Sequence, residues 1–421
     1  MVTAETLPSG LRLLTEAMPH VRSVTVGVWL ARGSRHESDA ESGVAHFVEH
    51  MLFKGTASRS ARDIAQIIDS VGGQLDAFTA KEYAGYYIKV LDEHVPIAIE
   101  LLSDIVMRPA FAPEDIEKEQ GVILEEIKMV EDAPDDLVHE LFAQQFWSTH
   151  PLGRPILGTP DTVASFSSAA LRDYFSRTYV AANLVVAAAG HLEHDQLRTL
   201  IERAFAAVPV GGPVYRTHPP AVTPGIAERY KDIEQSHICV GTSAYPHAHA
   251  DRHAMYVLNT VLGGSMSSRL FQHIREERGL AYAVFSHLTA YSDAGMITVY
   301  AGCASDKVGE VIDLTIAELA ELRSAAVPAD ELRRAKDHLK GSLMLSLEST
   351  SSRMSHLARQ ELYFGRHFTL DEMLASIERI SADDVQRVAC DLFRDDGLVA
   401  TVVGPKTGQP LAADRLRMSR A

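Results

Sequence analysis

Residues 208–225, near the middle of the chain, restrict the possible folds more than any other feature of the sequence. Prolines and glycines are more concentrated there than anywhere else in the chain. Because these residues interrupt both helices and strands, the segment is typical of an interdomain linker. We therefore expect one domain at residues 1–210, a linker at 211–225 and a second domain at 226–421.

The two halves that flank this segment have the same predicted order of elements. In each half, two adjacent strands are followed by a helix and then by a longer helix that begins at a proline. The predicted ranges are 76–79, 83–90, 96–106 and from Pro113 in the first half, and 281–288, 295–302, 308–322 and from Pro328 in the second. The two series repeat at a spacing of about 210 residues, which indicates an internal duplication. The predicted fold class is α+β, with two homologous domains that are each a mainly antiparallel β-sheet packed with α-helices.

Composition and charge argue against several classes of protein. With 46% hydrophobic and 23% charged residues, the chain can bury large cores. A formal net charge of −16 argues against nucleic acid as a partner and suits basic peptides. No apolar run approaches the roughly 18 residues of a membrane span, and the N-terminus lacks the pattern of an export signal. We therefore expect no membrane partner and a cytoplasmic location.

The segment from Gly43 to Thr56 contains two histidines and a glutamate with the spacing His-x-x-Glu-His. On a helix, His46, Glu49 and His50 lie on the same side, so all three can address one ion. This order is the inverted zincin signature, in which two histidines bind zinc and the glutamate acts as a base. An amphipathic helix could also carry the same residues without any metal. If the site is real, a third ligand must come from elsewhere in the chain.

The helix predicted to begin at Pro113 carries the glutamates that could supply this ligand. Glu119 and Glu126 are nearly two turns apart and share one face, and Glu125 lies beside them. An acidic helix on a protein surface has the same composition, so spacing alone does not select one glutamate.

Taken together, several motifs resemble the pitrilysin family of zinc peptidases (M16, inverted zincins), in the short branch that includes the mitochondrial processing peptidase. The motifs are residues 43–56, 72–79, 121–126, 150–159 and 268–271. The resemblance covers essentially the whole chain. It implies that the third metal ligand is Glu126 rather than Glu125, and that Glu119 supports the site electrostatically. It also implies one Zn²⁺ per chain, with Glu49 as the general base for zinc-bound water.

The resemblance further implies residues that contact the substrate. Arg275 and Tyr282 match an arginine and tyrosine motif that provides hydrogen-bond donors to the substrate carbonyl. In the family an extended peptide adds to an edge strand, and that position falls on Asp76, Ala77 and Phe78. Many relatives have asparagine where this chain has Asp76.

The function that the resemblance implies is a zinc endopeptidase acting on extended or unfolded peptides held in a closed chamber. Because this chain has half the length of family members that carry the whole chamber, we expect a homodimer in which Arg275 and Tyr282 complete the site of the other subunit. Two alternatives stay open at this point: a non-catalytic structural or partner subunit of the same fold, and a catalytic half that requires a separate partner subunit.

Overall fold

The computed structural model describes residues 2–211, 218–406 and 410–418. By their internal contacts these residues form two compact units. The first unit contains residues 2–128, 154–211 and 346–367, and the second contains residues 129–153, 218–345, 368–406 and 410–418. Residues 212–217 of the predicted linker lie outside the described residues, and residues 218–224 form neither helix nor strand.

The strands and helices follow the predicted order closely. The strands are β1 Val2–Thr6, β2 Arg12–Ala17, β3 Ser23–Leu30, β4 Gln74–Thr79, β5 Ala84–Leu91, β6 Leu184–Gly190, β7 Gly225–Tyr230, β8 Gln235–Ser243, β9 Ala281–Ala290, β10 Gly295–Ala304 and β11 Val399–Gly404. The α-helices are α1 Val44–Leu52, α2 Ala61–Ser70, α3 Val95–Met107, α4 Pro113–Asp132, α5 Pro134–Phe146, α6 Pro160–Ser165, α7 Ser168–Thr178, α8 His194–Ala204, α9 Arg252–Leu262, α10 Val308–Ser324, α11 Ala329–Ser346, α12 Thr350–Phe364, α13 Leu370–Glu378 and α14 Ala382–Leu392.

Shorter helical turns connect these elements. The 3-10 turns are Ser34–His36, Asp39–Glu41, Asp92–His94, Pro151–Gly153, Ala181–Asn183, Ser305–Lys307, Asp395–Gly397 and Ala413–Leu416, and residues Phe271–Glu276 form a π-helical turn. In the part of the chain that the structure describes, no helix is long and apolar enough to cross a membrane.

The first unit is built on a six-stranded sheet with the strand order β1-β2-β6-β3-β5-β4. All neighbouring strands are antiparallel except the parallel pair β2 and β6. Alternate residues of the strands point to opposite faces. One face packs on helices that include α1 and α3, and the other face packs on α12. Among the strands that the structure describes, β4 pairs only with β5, so it is an edge strand of this sheet.

The second unit repeats this plan with the strand order β7-β11-β8-β10-β9. Only β7 and β11 are parallel, and the others are antiparallel. Helices that include α9, α10 and α14 cover one face, and α5 covers the other. The predicted fold class, two domains that are each a mainly antiparallel sheet packed with helices, is therefore confirmed.

The units differ from the predicted ranges 1–210 and 226–421 because two helices pack on the sheet of the other half of the sequence. Helix α5 buries Phe142 and Phe146 against the second sheet, and α12 buries Met354 and Leu357 against the first. This packing buries the apolar face of each helix, which is the physical reason for the exchange. The boundaries at residues 210 and 225 remain a prediction of where the two copies of the duplicated sequence end and begin.

Candidate metal centre

Helix α1 positions the three residues of the His-x-x-Glu-His motif. The helix starts after Gly43, whose φ of 93° suits glycine. The Glu37 carboxylate accepts hydrogen bonds from the backbone N–H groups of Gly43 and Ala45, each at 2.8 Å, and so caps the first turn. The apolar side of the helix is buried in the core and comprises Val44, Ala45, Phe47, Val48, Met51 and Leu52. His46, Glu49 and His50 therefore lie on the remaining side.

Helix α4 brings two of its glutamates to the same place. Its buried residues are Ile116, Glu119 and Ile123, which recur with helical spacing and fix the side that faces the core. Glu126 continues this side by one further turn, and its side chain is 34% exposed. Glu125 instead bonds Lys128 on the surface.

The structure brings together His46, His50 and Glu126. One ligand atom from each lies within 4.8 Å of the others. The two Nε2 atoms are 3.2 Å apart, and Glu126 Oε2 lies 3.8 Å from His46 Nε2 and 3.7 Å from His50 Nε2. Among the described residues, no other group of three or more histidine, cysteine or acidic residues has this arrangement.

These distances fit a metal ion. Atoms bound to a four-coordinate zinc ion lie roughly 3.3–3.5 Å apart, and a point equidistant from the three atoms here lies about 2.1 Å from each, which is the length of a zinc–nitrogen or zinc–oxygen bond. Glu126 Oε2 is buried and has no hydrogen-bond partner among the described residues. A buried carboxylate oxygen without a donor is costly unless a cation is close to it. The residues present therefore fit the zinc site that the sequence predicts.

The surroundings of the two imidazoles suit metal binding in different ways. Burial, assisted by the neighbouring His50, lowers the pKa of His46 to about 4, so this ring is neutral. His50 Nδ1 lies 2.8 Å from Glu119 Oε1, and the carboxylate can accept only if this nitrogen carries the proton. The Nε2 lone pair of His50 is then directed at the cluster, as in other carboxylate–histidine–metal arrangements.

Glu119 is almost fully buried and has a second charged partner. It is 3% exposed, and Lys54 Nζ donates to its Oε2 at 2.7 Å. The ammonium group compensates the charge of a carboxylate that burial would otherwise penalise. Lys54 and Glu119 thus form a chain of charged hydrogen bonds that ends on His50.

Glu49 lies beside the cluster. Thr79 Oγ1 donates a hydrogen bond of 2.5 Å to Glu49 Oε2, which leaves Oε1 without this partner. Burial raises the pKa of Glu49, while the hydrogen bond from Thr79 opposes the shift. Burial therefore strengthens this carboxylate as a base. Its role as general base stays a prediction.

The predicted substrate-binding residues lie in two separate places. Asp76, Ala77 and Phe78 are in the edge strand β4, which ends at Thr79. Arg275 and Tyr282 are in the second unit, and the Arg275 guanidinium lies 4.8 Å from the ring centres of both Phe271 and Tyr282. Tyr282 is 81% exposed. A site that two subunits share remains a prediction.

Sequence reasoning missed three residues that support the cluster. They are Glu37, which caps α1, Lys54, which pairs with Glu119, and Thr79, which holds Glu49. Lys54 lies four residues after His50, a spacing that could have suggested a place near the same face. Nothing local in the sequence indicates the contacts of Glu37 and Thr79, because their partners lie on other elements.

Two histidines and a glutamate that fit a zinc ion, on a fold of two similar units, are typical of an inverted-zincin peptidase. Comparison with known proteins agrees with this class. Residues 12–160 match the family described as insulinase (peptidase family M16), and residues 165–339 match the peptidase M16 inactive domain. The uncharacterized zinc protease YmxG of Bacillus subtilis is 41% identical over 97% of this chain and 100% of its own length. An uncharacterized zinc protease of Streptomyces coelicolor is 42% identical over 96% of this chain and 90% of its own.

Solved structures show the same fold. A protein described as a peptidase M16 inactive domain from Pseudomonas fluorescens superimposes with a TM-score of 0.91 at 21% identity, over 97% of this chain and 99% of that one. A protease from Helicobacter pylori gives a TM-score of 0.89 at 22% identity, over 96% and 100%. The chain belongs to the M16 family of peptidases, and the family resemblance predicted from the motifs is confirmed.

Proposed function

We propose that the protein is a zinc-dependent endopeptidase that hydrolyses peptide bonds in extended or unfolded peptides. The observation that carries this proposal is the cluster of His46, His50 and Glu126, with three ligand atoms within 4.8 Å of one another and Glu49 beside it. Membership of a peptidase family supports the proposal, as do relatives named zinc proteases.

His46, His50 and Glu126 would hold one zinc ion per chain. When bound, this ion supplies positive charge that polarises the substrate carbonyl and lowers the pKa of a water molecule to about 7. Glu119 holds the Nδ1 proton of His50 and so fixes the ring orientation that binding requires. Lys54 Nζ in turn donates to the other oxygen of Glu119 and so holds this carboxylate in place.

Glu49 transfers the proton in this mechanism. Its Oε2 is held by Thr79, so Oε1 is the atom that takes a proton from the attacking water. The water oxygen forms a bond to the carbonyl carbon, the carbon–nitrogen bond breaks, and the same proton passes from Oε1 to the leaving amine. A carboxylate with a raised pKa suits both steps, because it accepts the proton readily and the acid can still release it.

Strand β4 is the proposed binding place for the peptide backbone. Its outer edge is unpaired among the strands of the described sheet, and an extended peptide can continue the sheet there by backbone hydrogen bonds. The strand ends at Thr79, the residue that contacts Glu49, so a peptide paired with β4 runs toward the proposed catalytic base. Asp76, Ala77 and Phe78 lie along this edge.

Replacing Glu49 by Gln tests the proposal. We expect the Glu49→Gln protein to bind zinc as the wild type does and to lose nearly all hydrolysis of an unstructured peptide. Glu125→Gln is a matched control, since Glu125 is an exposed glutamate whose bond among the described residues is to Lys128. If Glu49→Gln keeps wild-type activity, the assignment of the base is wrong. If pure wild-type protein binds zinc and cleaves no peptide, the chain is a non-catalytic subunit or needs a separate partner.

We further propose that the active form is a homodimer enclosing a chamber, in which Arg275 and Tyr282 serve the metal centre of the partner subunit. The Arg275 guanidinium lies 4.8 Å from the ring centres of both Phe271 and Tyr282, and these cation–π contacts hold it beside the exposed phenol of Tyr282. Both groups are hydrogen-bond donors suited to a carbonyl oxygen that gains negative charge.

Mixing two inactive variants tests the shared site. In a mixed dimer of Glu49→Gln and Tyr282→Phe, one site carries both changes and the other carries neither. Random pairing at equal concentrations should therefore restore about a quarter of wild-type activity per chain. If each chain completes its own site, the mixture stays as inactive as the two variants alone.

A further inference from the structure

Strand β4 presents different side chains to the two faces of its sheet. Thr79 points to the face that contains α1, where it bonds Glu49. Phe78 and Asp76 point to the opposite face, where their cross-strand partners on β5 are Gly85 and Tyr87. A peptide that pairs with β4 must also alternate, so every second side chain of the substrate faces away from Glu49.

An aromatic surface occupies this second face next to the free edge. The Phe78 ring centre lies 5.2 Å from Trp29, 5.9 Å from Tyr83 and 6.5 Å from Tyr87. Tyr83 continues the surface toward Tyr363, at 6.1 Å. We call Phe78, Tyr83, Tyr87 and Tyr363, with Trp29 beneath them, the aromatic shelf.

Two features keep the aromatic shelf accessible from the strand edge. Trp29 is only 1% exposed and forms the base of the shelf, whereas Phe78, Tyr83 and Tyr87 are each partly exposed. Gly85 leaves room for the Phe78 ring, since a Cβ at that position would approach the ring to 2.6 Å. The ring therefore lies across β5 and does not block the outer edge of β4.

Opposite charges at the two ends of the shelf leave its middle neutral. The Tyr87 hydroxyl donates to Asp76 Oδ2 at 2.8 Å at one end. At the other end, the Arg359 guanidinium lies close to the Tyr83 side chain. Between these ends the surface that a substrate side chain meets is aromatic, which favours an uncharged aromatic or apolar side chain.

We propose that the aromatic shelf is a specificity subsite that receives one aromatic or large aliphatic side chain of the substrate, on the face of β4 opposite Glu49. The subsite rests on the proposed peptidase function. Directly opposed side chains of paired strands are about 5 Å apart, which is contact distance for a ring placed across from Phe78. Ring–ring contact and burial of apolar area then favour that side chain over alanine.

The test compares peptides that differ at one position. A set of extended peptides in which Phe, Leu, Ala, Lys or Glu is placed in turn at each position around the cleaved bond is assayed with the wild type. We expect one position at which kcat/KM for Phe and Leu exceeds that for Ala, Lys and Glu by about tenfold or more. In Phe78→Ala this ratio should fall to about twofold or less, and in Phe78→Leu most of it should remain.

The readout is a ratio, so a change in basal activity of a variant does not affect it. Ile97→Ala, which removes an exposed apolar side chain on α3, should leave the ratio unchanged. The subsite is wrong if the wild type shows no such preference at any position, or if Phe78→Ala keeps the preference in full. If the wild type cleaves none of the peptides, the proposed function falls and the subsite falls with it.

Discussion

Replacing Glu119 by Gln should weaken zinc binding without unfolding the protein. Glu119 accepts hydrogen bonds from His50 Nδ1 at 2.8 Å and from Lys54 Nζ at 2.7 Å. The amide of glutamine has one oxygen for these two donors and no charge. A hydrogen bond to a charged group contributes about 1.5–3 kcal/mol. Because each 1.36 kcal/mol corresponds to a factor of ten, zinc affinity should fall about 10–100-fold.

The assay is a competition for zinc between the protein and a chromogenic chelator at fixed pH. Glu125→Gln changes a nearby glutamate of the same helix that lies at the surface, so it should bind zinc as the wild type does. The thermal midpoint of the zinc-free proteins separates loss of metal from loss of fold. If Glu119→Gln binds zinc within about twofold of Glu125→Gln, the argument that Glu119 orients His50 is refuted.

Three further predictions follow from individual contacts. Thr79→Val removes the hydrogen bond that lowers the pKa of Glu49. The acidic limb of the pH profile of kcat/KM should therefore move to higher pH, and kcat should fall about tenfold. An unchanged profile would contradict the role of Thr79 in holding Glu49. Gly43→Ala should lower the thermal midpoint far more than Gly72→Ala. Both glycines have positive φ, but of the two only Gly43 has a backbone atom 2.6 Å from where the new Cβ would lie. Equal losses in the two variants would refute this steric argument. Met354 is 0% exposed, so Met354→Ala should lower the free energy of unfolding by about 2–5 kcal/mol. A decrease below about 0.5 kcal/mol would show that α12 does not stabilise the first unit.

The sequence predicted those features that depend on local pattern. The helix starting at Pro113 was recognisable because proline suits a first turn and Glu119 and Glu126 recur with helical spacing. The spacing of His46 and His50 placed them on one side of α1 in the same way. The choice of Glu126 over Glu125 needed the family resemblance, since both are glutamates on the same turn.

Features that depend on distant contacts could not be predicted. Helices α5 and α12 are amphipathic, but nothing local indicates that each covers the sheet of the other half of the sequence. The bond from Thr79 to Glu49 exists because β4 ends beside α1, and that placement comes from sheet topology. The π-helical turn at Phe271–Glu276 could not be predicted either, because its altered hydrogen bonding has no clear sequence pattern.

The central claim is that His46, His50 and Glu126 hold one metal ion. The most direct measurement is the zinc content of purified protein after dialysis, determined by elemental analysis for the wild type, His46→Ala, Glu126→Gln and Glu125→Gln. The account predicts about one zinc per chain in the wild type and in Glu125→Gln, and less than about a tenth of this amount in the other two. A full equivalent of zinc in His46→Ala and Glu126→Gln, or no zinc in the wild type, would contradict it.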